Sequence, residues 1–558
     1  MRGLAEDKSK QRDLFLSLGV LLFALATRWG LFYLIPDGQM NDDACFLLRA
    51  LHLSRPTDVA SLPNPVHYAI GWPLLIAPFL KLGFDWYATG RILATGLTCL
   101  TSVYLASAFA RRTGSRAFGA AVALLFLNAP QTMILGSSLM SEPFYFFLVS
   151  ACLLGAATIG DLRSALFWGG LSGLCFLTRT EGLLVGVVVC LSLFARGCSW
   201  PVVGGYLAGL ASVTGFVRGI FRHAEQNTHL RQVKGVWGGD HSPDFWSYTP
   251  ILGKQSATMA LEALLNRSSQ AYHLLWLIPI VALTVVLQSK GVRATLPAFC
   301  KEPLALWLVG FPFVFYVWPF FNPRYWPLWA VLLFALSLSH LGTRLRWLAM
   351  ATLLLLQFPG AWHWYGMGPL AERFQKELYL PYYRSLSSGQ KVLTLNNTRV
   401  SSIARVSTEM PLMNSEFQSL PIAMAYTGCD LIEWETTSRT LKSVTGSDAR
   451  TYPPEALEGL RKSPLFKLEH SCAFSECYRL VADPTSLKEA GSFYSAAMQT
   501  NEPKKRLEFL QQAVSAVPGL PETEWAFWNT RLQLTPGDSE ATRQLSELSG
   551  RYPFLQQR

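Results

Sequence analysis

A polytopic α-helical membrane protein of about eleven transmembrane helices, with a C-terminal extracytoplasmic α/β plus helical domain, is the fold class that the sequence predicts. Three observations predict it. Half of the 558 residues are apolar, only 15% are charged, and 34 Phe and 18 Trp are present, a balance foreign to soluble multidomain chains. Apolar runs recur from Leu14 to about Tyr365 with short connections between most of them. Basic residues gather in those connections: Arg111, Arg112 and Arg116 in one, Lys290, Arg293 and Lys301 in another, Arg344 and Arg346 in a third. That is positive-inside bias, and it accounts for the formal charge of +11 without a nucleic-acid partner.

The first run, Leu14 to Ile35, follows Lys8, Lys10 and Arg12 and is followed by no small-residue cleavage site. It reads as a retained helix with a cytoplasmic N-terminus. The polar loop after it holds Asp42 and Asp43, and its two apolar stretches, CFLLRALHL and YAIGWPLLIAPFLKL, suit short interfacial helices. Six crossings follow: Trp86 to Phe109, Phe118 to Ile134, Phe144 to Ile159, Ala165 to Leu177, Leu183 to Phe194 and Val202 to Phe216. Several fall short of the ~20 residues of a full span, which implies tilted or partly embedded helices. The charged, aromatic stretch Arg218 to Gln270 reads as an ordered external loop. Leu274 to Leu287, Leu304 to Phe320, Tyr325 to Leu338 and Trp347 to Tyr365 complete the set, and an odd number of spans puts the tail on the same side as Asp42.

The tail divides at about residue 480. Residues 366–480 read as an α/β unit, with KVLTLNN and LFKLEHS as strands and EALEGL as a helix between them. In 481–558 two amphipathic stretches each end at Pro-Gly, at Pro518 and Pro536. They predict two to four packed helices of tetratricopeptide-like character, a surface for a protein partner, or a plain helical hairpin. Ten scattered cysteines do not make a disulfide framework, but Cys472 and Cys477 in HSCAFSECYRL can bridge if the tail is extracytoplasmic, with Cys429 as an alternative partner.

Few residues stand out as carriers of chemistry. Asp42 and Asp43 follow an apolar run, where one carboxylate can serve as a general base while the other orients a group or helps hold a divalent metal ion (Mg, Mn or Zn); both can equally be solvated. Glu142, ahead of Pro143, either caps a helix or faces the same polar cavity. Arg324 beside Tyr325 has the fork geometry for a phosphate on a face where positive charge is scarce. Arg179 either pairs with Glu181 across a turn or points into the cavity, and His67 is a phosphate donor, a metal ligand or an interfacial side chain. With neither GxGxxG nor GxxxxGK[ST] in the chain, no nucleotide is expected.

These motifs, in this order, resemble membrane-integral GT-C-type glycosyltransferases that use polyprenyl-phosphate sugars, the group of protein O-mannosyltransferases and lipid A aminoarabinose transferases. The resemblance covers residues 1–365 and the external domain after them. It is carried by NDDACF, HYAIGWPLLIAPF, MSEPFYFF, GLCFLTRTEG and NPRYWPL. The chain departs from the group in having Asp-Asp where Asp-Glu is usual and Phe46 where Tyr is common.

The resemblance implies inverting transfer of a monosaccharide from a polyprenyl-phosphate donor to an acceptor hydroxyl on a protein, lipid or polysaccharide. Asp42 would be the base, Asp43 and Glu142 its acidic support or metal ligands, and Arg324, Tyr325, Arg179 and His67 the lipid-phosphate site. It also implies a multi-pass protein of a bacterial inner membrane, in contact with membrane lipids, its active site and tail periplasmic. A transporter or flippase of a lipid-linked or small polar substrate is the alternative, and a noncatalytic scaffold acting through the C-terminal helices is a third.

Overall fold

The structure is a computed structural model that describes residues 15, 17–28, 31, 42–60, 62, 68–220, 245–266, 270–317, 322–366, 380–387, 389–394, 407–409, 419–435, 454–472, 475–552 and 555. The chain forms two units, Met1–Val59 with Asn64–Glu372, and Ala60–Pro63 with Arg373–Arg558.

Every regular element described in the first unit is a helix. Three of its helices start where a side chain satisfies their free N–H groups. The Asp85 side chain accepts the Ala88 N–H at 2.8 Å ahead of Trp86–Thr113, and Ser115 accepts the Phe118 N–H at 3.3 Å ahead of Arg116–Leu127. Asp161 and Ser164 form a reciprocal capping box ahead of Leu162–Thr178. The two stretches with helical spacing after Asp42 and before Lys81 become the helices Asp42–Ser54 and Gly71–Lys81. A helix, Phe245–Leu265, occupies much of the expected long loop, whose residues 221–244 lie outside the described ones.

The expectation of about eleven membrane-crossing helices, and the multi-pass inner-membrane localisation built on it, is corrected here. Among the described residues one helix, Trp86–Thr113, is long and apolar enough to cross a membrane, and seven shorter apolar helices have 10–17 residues. The reason is geometric. At ~1.5 Å per residue, the 12 residues of Arg116–Leu127 extend about 18 Å, against a hydrocarbon layer of ~30 Å. The apolar run Phe118 to Ile134 is cut at Asn128 and Ala129, and a second helix, Pro130–Leu135, begins after the cut. Apolar side chains instead supply helix-to-helix cores. Pro327–Ser339 and Glu142–Gly155 are buried on nearly every face, with Trp326, Trp329, Phe334 and Phe146 among their packed aromatics. The assignment of sides that rested on counting spans falls with the count.

The second unit contains a five-stranded sheet, β1 (Lys391–Leu393), β2 (Ser407–Glu409), β3 (Leu431–Glu435), β4 (Phe466–Ser471) and β5 (Ser475–Leu480), in the order β2-β1-β3-β5-β4. β1 runs parallel to β2 and β3, whereas β5 pairs antiparallel with both β3 and β4. Leu393, Met424, Ile432, Trp434, Leu460 and Tyr478 make its core.

Four helices follow, Pro484–Gln499, Pro503–Ala516, Pro521–Leu534 and Ser539–Arg551. Gly519 and Gly537 sit at φ +86° and +91° directly after Pro518 and Pro536, so each Pro-Gly reverses the chain through a conformation that other residues disfavour. These helices are not a separate lobe. Ile422, Ala425 and Leu465 of the α/β part share one core with Leu487, Ala490, Val517 and Leu520. The bridge between Cys472 and Cys477 is not formed, and Cys429 is not disulfide-bonded either. Cys477 is buried within β5, where its Sγ accepts the Tyr382 hydroxyl at 3.6 Å, while the Cys472 Sγ lies 3.5 Å from Ser475 Oγ.

Candidate active site

All the groups described here belong to the first unit. Asp42 opens the helix Asp42–Ser54, where a carboxylate meets the unpaired N–H groups of the first turn. Glu142 opens Glu142–Gly155 in the same way, with Pro143 in its first turn. Arg179 ends Leu162–Thr178 in extended backbone, φ −153° and ψ 141°, and a short 3₁₀ turn, Thr180–Gly182, carries Glu181 behind it. Arg324 lies in another 3₁₀ turn, Pro323–Tyr325, which is set by the Asn322 side chain accepting the Arg324 N–H at 3.1 Å. Each of these residues sits at a helix end or in a short 3₁₀ turn, where a side chain can leave the packed helix surfaces.

Two close approaches bring the ends together. A Cβ on Gly71 would stand 2.6 Å from Thr178 Oγ1 and 2.7 Å from the Thr178 nitrogen, so glycine lets Gly71–Lys81 start against the turn that carries Arg179. The neighbouring Trp72 is fully buried, donates its indole N–H to the Leu139 carbonyl at 3.4 Å, and packs 6.0 Å from the Phe144 ring. The start of Gly71–Lys81 is thereby held beside the start of the Glu142 helix.

The result is a chain of alternating charge. Arg324 Nη1 donates to Asp42 Oδ2 at 2.6 Å, and its Nε stands 3.4 Å from Glu142 Oε1. Arg179 Nη1 donates to the same Glu142 oxygen at 2.9 Å, and Arg179 Nη2 to Glu181 Oε1 at 3.0 Å. The Tyr325 ring lies between the two guanidiniums, 4.5 Å from Arg179 Cζ and 5.0 Å from Arg324 Cζ, and its hydroxyl accepts Arg324 Nη2 at 2.8 Å. The other Asp42 oxygen, Oδ1, accepts the Tyr68 hydroxyl at 2.6 Å. Asp42 keeps 23% of its side-chain surface exposed, whereas Glu142 keeps none and Glu181 4%. Of these three carboxylates, Asp42 is the one that an incoming molecule reaches.

Burial by itself would lower the Arg179 guanidinium, but Glu181 and then Glu142 overcome it and hold it above its ordinary value. Burial likewise opposes Arg324, and Tyr325, Asp42 and Glu142 reverse the effect. Both guanidiniums therefore stay charged. Burial first and Asp42 second raise the Tyr68 hydroxyl well above the ordinary phenol range, so it remains a proton donor.

The structure thus brings together Asp42, Glu142, Arg179, Arg324 and Tyr325, five residues that the sequence singled out from four separate stretches. Asp43 is buried, and its Oδ1 accepts the Ala44 N–H at 2.8 Å, which engages it with the start of its own helix. His67 lies outside the described residues. Sequence reasoning missed Tyr68, next to His67, and left Glu181 as a simple partner of Arg179. The signal for Tyr68 was its place in the loop ahead of the Pro-containing helix, but one tyrosine there is indistinguishable from an interfacial aromatic.

A divalent ion has no prepared donor set among the described residues, where no group of three or more His, Cys, Asp and Glu side chains is arranged for one. Of the two carboxylates expected to support or hold one, Glu142 lies against Arg324 and Arg179, and Asp43 accepts from the Ala44 N–H.

No family model matches the chain, and no curated protein matches it. Solved structures are similar to it at a distance, among them the following three. ArnT from Cupriavidus metallidurans bound to undecaprenyl phosphate shares 14% identity over 84% of this chain and 98% of that one, with a TM-score of 0.41. The apo state of that protein shares 14% over 83% and 98%, with a TM-score of 0.37. The Archaeoglobus fulgidus oligosaccharyltransferase in complex with zinc and sulfate shares 11% over 93% and 86%, with a TM-score of 0.43. At identities of 11–14% and TM-scores below 0.5, these are resemblances only, and what the chain does is argued from its own residues.

Proposed function

We propose that the chain catalyses inverting transfer of a monosaccharide from a polyprenyl-phosphate donor to an acceptor hydroxyl. One observation carries this reading: the accessible carboxylate, Asp42, is in direct contact with a half-buried, permanently charged guanidinium, Arg324, at 2.6 Å. A base and a phosphate-binding cation on touching atoms are what a one-carboxylate displacement needs. The acceptor O–H gives its proton to Asp42 as its oxygen bonds to the anomeric carbon. The bond from that carbon to the phosphate oxygen breaks, and its electron pair leaves with the lipid phosphate. No separate acid is required, because the phosphate is a stable anion when Arg324 neutralises it. Arg179 and Tyr325 hold Arg324 and Glu142 in register, and the role that a divalent cation would take belongs to Arg324.

The network has three carboxylates, Asp42, Glu142 and Glu181, against two guanidiniums, Arg179 and Arg324. A donor phosphate therefore does not enter an empty cationic site; it competes with Asp42 for the Nη donors of Arg324. This gives a double signature for Asp42→Asn. Turnover falls by about 10²–10⁴-fold with loss of the base, while binding of polyprenyl phosphate tightens, because the asparagine releases Arg324. The experiment is transfer of radiolabelled sugar from a panel of polyprenyl-phosphate monosaccharides, with direct binding of polyprenyl phosphate alongside it. Transfer that survives Asp42→Asn removes Asp42 from the chemistry. Absence of transfer from every donor by the folded, unaltered chain removes the reaction class.

A further inference from the structure

We infer that Tyr68 is the positioning residue of the Asp42 carboxylate, fixing which of its two oxygens takes the acceptor proton; the inference rests on the reading of Asp42 as the base. The geometry is that of a clamp. Asp42 and Phe46 are one helical turn apart on Asp42–Ser54, and Tyr68 meets both. Its ring stands edge-on to the Phe46 ring at 5.1 Å and 79°, and its hydroxyl donates to Asp42 Oδ1 at 2.6 Å. Phe46 is itself buried, 4% exposed, so the ring contact fixes where the hydroxyl can reach. A hydrogen bond of 2.6 Å from a neutral donor to an ionised oxygen is at the short, strong end of its class.

The two carboxylate oxygens are consequently unequal. Oδ2 faces the Arg324 cation and is lost to that ion pair until a phosphate takes Arg324 over. Oδ1 faces a neutral phenol, keeps a free lone pair, and is turned by the clamp into one orientation. The groups that act on this carboxylate are Tyr68 and Arg324 directly, Cys45 beside the Tyr68 hydroxyl, Glu142 and Tyr325 through Arg324, and the adjoining Asp43. Tyr68 is the neutral donor that touches it, so its removal releases Oδ1 without changing the charge of the site.

The test uses the full chain and first a readout that needs no turnover: the infrared carboxylate stretches of Asp42, with Asp42→Asn as the blank. Tyr68→Phe keeps the ring against Phe46 and removes only the hydroxyl. It shifts the Asp42 stretches, because the hydrogen bond to Oδ1 is lost. Replacing Tyr68 with 3,5-difluorotyrosine, a stronger donor that retains the hydroxyl and the fold, shifts them the opposite way. With a polyprenyl-phosphate monosaccharide as donor, Tyr68→Phe lowers kcat and leaves KM for the donor unchanged.

Asp42 stretches unmoved by both replacements overturn the inference, whatever the chain transfers. Moved stretches with unchanged kcat also overturn it, since Tyr68 would then touch Asp42 without positioning it for reaction. If the unaltered chain transfers no sugar, the proposed function fails, and the stretches alone decide the coupling of Tyr68 to Asp42.

Discussion

Arg179 shows how much one side chain can carry. It leaves its helix through an extended residue, reaches Glu142 and Glu181 with different nitrogens, and lies over the Tyr325 ring. Both acids are nearly or wholly buried, so their charges are tolerated because Arg179 answers them. Truncating it leaves two buried carboxylates short of a partner, and Arg179→Met is expected to lower stability by about 3 kcal/mol. Thermal or urea unfolding of the full chain measures this; a change under about 0.5 kcal/mol would mean that Arg324 and water take over. Arg179, Glu142, Asp42 and Arg324 were legible in the sequence because a charged residue among apolar ones is costly unless used. Their pairing was not legible, since Asp42 and Arg324 meet across 282 positions of chain. Tyr68 was invisible for the opposite reason: tyrosine is at home in such surroundings, and only its 2.6 Å contact gives it a role.

At the scale of elements, caps and turns explain where helices stop, and stopping is what separates this structure from a set of membrane spans. Asn128, Ala129 and Pro130 divide one apolar run into two short helices, and Asn322 with Pro323 makes a turn of the residues that hold Arg324. Apolar periodicity locates such helices but does not tell whether lipid or protein covers them. The clearest local signals lie near the C-terminus, where the Pro-Gly pairs end two helices. Gly537, at φ +91°, belongs to one of these turns and faces no close neighbour. Gly537→Ala is expected to cost about 1 kcal/mol through backbone strain alone. Faster hydrogen exchange in Ser539–Arg551 would report it, and unchanged exchange there would show that the turn relaxes freely. β5 was overlooked because its sequence, SECYRL, does not alternate. Its Glu476 is tolerated in the sheet because the Arg461 guanidinium and the Tyr478 hydroxyl both donate to it, and Arg461 holds its carboxyl below the usual range.

At the scale of the molecule, the helices beyond residue 480 are integral to the second unit. Leu487, Ala490, Val517 and Leu520 complete the same core as Ile422, Ala425 and Leu465. Deleting residues 484–558 uncovers that core, so the deletion is expected to make the α/β part sensitive to protease as well as removing a partner surface. Limited proteolysis of the shortened chain checks this. A protease-resistant α/β part after deletion would mean that the four helices are dispensable to the fold and free to act as a docking module. As expected here, the deletion cannot distinguish a scaffold from an enzyme, because both would lose a folded domain.

What the sequence determined by itself is local: helical spacing, the caps and Pro-Gly turns that bound helices, and the few charged residues set among apolar ones. These follow from each residue and its near neighbours, and they carry the resemblance to sugar transferases that use lipid phosphates. Tertiary structure decided what long-range contacts decide. It shortened the apolar runs into helices that bury one another, and it merged two expected tail domains into one core. It also joined four distant stretches through Arg324 and Arg179, and placed Tyr68 on the oxygen of Asp42. An apolar residue specifies that it must be covered and a charge that it must be answered, but which element does so is fixed only when the chain closes on itself.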